Sequence, residues 1–91
     1  MEFEWDPRKA EENYKKHRIR FEEAQEAFLD PNGVEIFDDG HSLEEVRFML
    51  IGFSTRRILL VGFTVRKANV IRIITARKAT GEERRHYYEK R

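Results

Sequence analysis

The side chains best suited to chemistry gather in the last quarter of the chain, where residues 70–91 read VIRIITARKATGEERRHYYEKR. Arg72, Arg77 and Lys78 stand just before a helix start, and Arg84, Tyr87, Tyr88 and Arg91 then follow at i, i+3, i+4 and i+7, one stripe of guanidiniums and phenol rings. Arg66 lies just beyond the preceding strand, and Arg47 on the strand before that. Arginine carries a planar, permanently charged fork that holds two oxygens of one phosphate, so this set is suited to an anion and above all to a phosphodiester. Arg72 interrupts an apolar run, and a charge there must be paired or serve a site. Tyrosines beside arginines at a helix end can cover a core or stack on bases; Tyr88 is the candidate for the second use.

Other chemistries find little support. There is no cysteine, which removes disulfides, thiolate metal ligands and a thiol nucleophile. His17, His41 and His86 stand at no metal-binding spacing, and Asp38, Asp39 and His41 form a polar loop of the kind that is usually solvated. Ser42 and Ser54 sit in no nucleophile elbow. The five glycines are scattered, so no phosphate loop is present. Neither a metal nor a cofactor is expected.

The elements that must position these residues fit one small domain spanning residues 1–91. Hydrophobic residues make up 40% and aromatics 12%, a globular composition. The net charge of +1 conceals a split: residues 1–45 hold 6 basic and 14 acidic side chains, residues 46–91 hold 12 and 3. Such asymmetry favours an anionic partner for the basic half, unless the halves neutralise each other across the fold. The N-terminus has no signal-peptide pattern and no stretch is apolar enough to span a bilayer, so a cytoplasmic protein with no membrane association is expected.

Phe3 to Trp5 reads as a short strand or extended entry. Asp6-Pro7 then marks a helix start, with Asp capping and Pro at the first helical position. A helix to about Lys16 and a second over FEEAQEAF, residues 21–28, lead to the Asp30-Pro31-Asn32-Gly33 turn. Strands follow at Val34–Phe37, Glu45–Phe53, Ile58–Val65 and Val70–Thr75, the last carried on by Ala76, Arg77 and Lys78. Short connections make the last three an antiparallel meander. The apolar run from Ile58 predicts a central strand buried on both faces. Thr80 with Glu83 has the capping-box form. The fold class expected is α+β: two N-terminal helices packed on an antiparallel sheet of about four strands, with a C-terminal helix.

Four segments taken together, WDPRKAEENYKKH, FEEAQEAF, DDGHSLEEVRF and RKANVIRIITARKATGEERRHY, resemble the BrnT family of bacterial type II toxins, a RelE-like group of ribonucleases. The resemblance covers nearly the whole chain, in order. It departs at Arg20, where the family tends to place a small capping residue. What it implies is a metal-independent endoribonuclease that arrests growth, held inactive by a BrnA-type antitoxin with a ribbon-helix-helix fold in a hetero-oligomer that represses its own operator DNA. Cleavage would use the RNA's 2′-hydroxyl as nucleophile, which needs a base, an acid and cations at the phosphorane. Arg66, Arg77 and Arg72 would stabilise charge; Lys78, Arg47, Arg84 and Tyr88 would hold RNA. Glu45 and His17 are the candidates for proton transfer, with His41 third. The alternative is a non-catalytic nucleic-acid or protein-binding module acting in an autorepressor complex.

Overall fold

The structure, a computed structural model, describes residues 1–37 and 46–90. The candidates Glu45 and His41, the loop 38–45 and Arg91 lie outside the described residues. The elements are β1 (Glu2–Glu4), α1 (Pro7–His17), α2 (Phe21–Ala27), β2 (Val34–Phe37), β3 (Phe48–Phe53), β4 (Ile58–Lys67), β5 (Val70–Lys78) and α3 (Gly81–Glu89).

Asp6 caps α1 as its sequence context predicts, accepting the Arg8 N–H at 2.9 Å with Pro7 opening the helix. In α3 the capping box closes in both directions: Thr80 Oγ1 accepts the Glu83 N–H at 3.1 Å, and Glu83 Oε1 accepts the Thr80 N–H at 2.9 Å. By contrast α2 begins at Arg20 with no side-chain cap.

Strand order is β1-β5-β4-β3-β2. Strands β2 to β5 pair antiparallel. The sheet nevertheless has five strands and is mixed, not four and antiparallel. β1 lies parallel to β5, with Glu2 opposite Val70 and Glu4 opposite Arg72. Parallel neighbours need a long connection, and here almost the whole chain supplies it.

Each face of the sheet carries its own core. On the first, α1 and α2 cover Leu50, Leu59, Val61, Phe63, Ile71, Ile73 and Ala76, with Phe21 and Ile19 completely buried between them. On the second, α3 lays Tyr87 over Ile51, Ile58 and Leu60. β4 is buried on both faces from Ile58 to Thr64, as its apolar run predicts. Gly52 is required where α2 crosses β3: a Cβ there would lie 2.7 Å from the Ala27 carbonyl oxygen.

Polar ties hold the layers in register. Asp30, from the turn after α2, accepts the Phe53 N–H at 2.8 Å and the Tyr87 hydroxyl at 2.6 Å, joining α2, β3 and α3 through one carboxylate. At the β3–β4 hairpin, Glu23 takes the Arg57 fork at 2.8 and 3.0 Å, and Glu26 accepts the Thr55 N–H and hydroxyl. The Arg57 bonds keep the Glu23 carboxyl below its ordinary range. Part of the charge split is thus neutralised across the fold.

Candidate active site

Beyond Glu4 no strand among the described residues lies beside the outer edge of β5. Asn13, on α1, takes that place. Its side-chain amide accepts the Ala76 N–H at 3.0 Å, donates to the Ala76 carbonyl at 2.8 Å, and donates to the Ile19 carbonyl at 3.0 Å. Buried backbone groups must be paired, and one asparagine pairs both from a single residue. The Thr75 hydroxyl donates to the same Asn13 oxygen at 3.2 Å. This lock fixes the C-terminal turn of α1, and with it His17, against the end of β5.

Arg77 is the centre of that end. Its guanidinium makes a two-pronged bond to Glu83, at 2.9 Å on each prong, and a further bond to the Lys78 carbonyl at 3.1 Å. Two of its five N–H groups, Nε–H and one on Nη2, make no hydrogen bond among the described residues. Burial alone would push the Glu83 carboxyl up, but the Arg77 and Thr80 bonds outweigh it and hold the group below its ordinary value. His17 is shifted as well. Burial lowers its pKa first, and the positive charges of Lys16 and Arg77 lower it further. An imidazole whose pKa is lowered in this way stays neutral to lower pH and can accept a proton.

The structure therefore brings His17, Arg77 and Lys78 together at one end of the sheet. Arg84 is at the same end, its Nη1 donating to the Ala79 carbonyl at 3.1 Å. Tyr87 is core, and Tyr88 is half-exposed beside it, its ring edge-on at 5.3 Å. The predicted stripe on α3 thus divides between packing and surface.

Arg72 is elsewhere. It pairs with Glu4 at 2.9 Å across the parallel edge and stands opposite Thr64 on β4. A register shift between β4 and β5 around Gly62 and Phe63 puts Arg72 and Arg77 on the same sheet face, although five residues would ordinarily place them on opposite ones. Five residues of strand span about 16 Å, too far for one phosphate to bridge. Arg66 is exposed near the end of β4, opposite the start of β5, and Arg47 directly precedes β3. These three belong to the Arg72 end. The cations read from the sequence as one set thus fall into two groups at opposite ends of the sheet.

Along α3, a groove of about 520 Å³ separates Thr80, Glu83 and His86 from Ile36 and Ile51. His86 lines this groove as well. No group of three or more potential metal ligands occurs among the described residues.

The family of type II toxin–antitoxin components described as "Ribonuclease toxin, BrnT, of type II toxin-antitoxin system" matches residues 5–83. The chain belongs to the BrnT family. Among solved structures it is similar to the ribonuclease toxin BrnT of Brucella abortus, known from a crystal structure at 1.1 Å, with 26% identity and a TM-score of 0.67. The alignment covers 88% of this chain and 97% of that one. Comparison with curated protein sequences gives no significant match. A BrnT-family chain is thus a member of a family of ribonuclease toxins that work with an antitoxin. No helix among its described residues is long and apolar enough to cross a membrane.

Two residues of this junction were not singled out from the sequence. Asn13 gave no signal, since a polar residue on a largely polar helix looks solvated until the strand edge beside it is known. Glu83 was read only as a helix cap. Its second role follows from Arg77 ending the strand six residues earlier, a spacing that has meaning only once the chain turns between them.

Proposed function

We propose that the chain is a metal-independent endoribonuclease whose reaction centre is the junction of α1, β5 and α3. The observation that carries this is the Asn13 lock, which fixes the His17 end of α1 to the end of β5, where Arg77 is held by Glu83 and keeps N–H donors to spare. His17 takes the proton from a ribose 2′-hydroxyl, the oxygen attacks the adjacent phosphorus, and Arg77 donates to the equatorial oxygens as they gain charge. Glu83 acts as a positioning residue, fixing the Arg77 fork through both prongs. Glu45 is proposed for the second proton transfer, to the departing 5′-oxygen. Lys78 and Arg84 hold phosphate near the cut, while Arg72, Arg66 and Arg47, with Tyr88 as a stacking surface, meet the RNA outside the scissile position. In this reading α3 borders the catalytic face, a RelE-like arrangement.

The proposed partner is a BrnA-type ribbon-helix-helix antitoxin, which would cover the cationic end and bring the complex to operator DNA. The protein is proposed to act in the cytoplasm, as a single domain. The test is RNA cleavage by the full chain in excess EDTA, with Arg77→Gln and His17→Gln alongside. Cleavage that survives EDTA and is lost in both variants supports the enzyme. RNA binding with no cleavage by the unaltered chain supports a non-catalytic module in the repressor complex.

A further inference from the structure

A second cationic site lies next to the proposed reaction centre and is not part of it. Tyr14 and Arg18 from the end of α1, Arg20 from the start of α2, and Arg56 and Arg57 from the β3–β4 hairpin surround a cavity of about 310 Å³, which Glu22, Glu23 and Glu26 also line. Arg57 is committed to Glu23, and Glu26 to Thr55. Arg18, Arg20 and Arg56 make no ion pair among the described residues. Arg20 lies 4.1 Å and Arg18 5.5 Å from the centre of the Tyr14 ring. The ring therefore organises the two guanidiniums and is not free to stack on a base.

Both arginines sit where local stability favours something else. Arg18 is the only non-glycine residue with positive φ among the described residues, at 60°, in the helix-ending conformation that favours glycine or asparagine. Arg20 occupies the N-cap of α2 and makes no capping bond, where Ser, Thr, Asp or Asn would. Two local rules broken two residues apart, each placing a guanidinium on the same ring, mark a site built for those charges.

Its place in the fold names the ligand. The hairpin carrying Arg56 and the end of β5 lie at the same end of the sheet: Leu59 faces Lys78, and Ala79 N–H bonds the Ile58 carbonyl at 3.0 Å. On the other side, Arg18 directly follows His17. We infer that this cavity is an exosite that takes a backbone phosphate of the RNA, several nucleotides from the scissile bond. This deepens the ribonuclease reading and rests on it. Four guanidiniums against three carboxylates leave little excess charge, so inorganic phosphate alone is held weakly. A strand already seated at the reaction centre presents its phosphate at high effective concentration.

The test compares the full chain with Arg20→Thr/Arg56→Gln, in which the threonine supplies the missing cap. Binding is measured to 2′-O-methyl oligouridylates of four and twelve nucleotides, which give an affinity whether or not the chain cleaves RNA. The variant is expected to bind the twelve-mer about tenfold more weakly at low salt, with its log–log salt slope shallower by about 0.7. It binds the four-mer unchanged and melts no lower than the parent. An unchanged twelve-mer affinity overturns the exosite. So does a weaker affinity accompanied by a lower melting temperature, which makes the arginines a structural clamp. Intact RNA binding with lost binding of a polyglutamate peptide overturns it in favour of an acidic protein partner. Arg77→Gln separates the two proposals: it abolishes cleavage of unmodified oligouridylates and leaves the length advantage in place.

Discussion

The two faces of the sheet are built from the same strands and differ in what covers them. On the first face, α1 and α2 bury a continuous layer of apolar side chains, and Phe21, Ile19, Leu59 and Val61 are sealed from water. On the second, the short α3 packs Tyr87 into a smaller cluster with Ile51, Ile58, Leu60 and Ala79, and the row beyond carries Arg72, Thr75 and Arg77. A cation costs much to bury and little to leave half-exposed, so a face that must present guanidiniums cannot be fully covered. Most of the apolar packing thus lies on one side of the sheet and Arg72 and Arg77 on the other, with the proposed reaction centre at the end of β5.

This separation can be broken by mutation. Phe21→Ala on the covered face should cost about 3–5 kcal/mol, read as a lowered denaturation midpoint, while molecules that remain folded cleave RNA normally. Asn13→Ala should cost about 2 kcal/mol because it strands the buried Ala76 N–H and carbonyl, and it should slow cleavage as well by loosening α1 from β5. If Asn13→Ala lowers stability and leaves cleavage untouched, the lock does not position His17. Arg77→Gln should do the reverse of Phe21→Ala. It removes a pair about one-third exposed, worth about 1 kcal/mol or less after solvent screening, yet abolishes cleavage. Arg20→Thr is the smallest effect on folding: the gained cap and the lost ring contact nearly cancel, and the midpoint moves by about 0.5 kcal/mol or less.

Acid sharpens the same contrast. His17 is lowered in the fold from 6.5, so as pH drops below 6.5 the unfolded chain takes up the proton first and stability declines. Glu23 and Glu83 are also lowered, from 4.5. Their contribution is complete above 4.5 and is lost as pH falls through their folded values. Denaturation midpoints against pH should therefore show two acid limbs, and His17→Gln should erase only the upper one. If His17 is the base, the cleavage rate rises with pH along a limb below 6.5 and then levels. Arg77→Lys, which retains the charge and loses the fork, should leave that limb in place at a much reduced rate.

Much of the architecture was legible because its signals are local. Asp6-Pro7, the Thr80–Glu83 box, the turn at Asp30 and the apolar run from Ile58 each act within a few residues, and each forms as read. β1 was left between strand and extended entry because its partner lies almost seventy residues away, and no local pattern specifies a parallel neighbour. The cationic candidates were legible as a set. Their division into two groups was not, since Arg66 and Arg47 join Arg72 only through the pairing of β3, β4 and β5, which no single segment specifies.

Sequence alone determined the succession of helices and strands, the capped helix starts and the supply of cations, because side-chain chemistry and short-range hydrogen bonding settle these one segment at a time. Tertiary structure decided which cations are neighbours. Asn13 reaching the edge of β5 and Glu83 folding back on Arg77 each join residues through the path of the chain, and no pattern in the sequence carries that path.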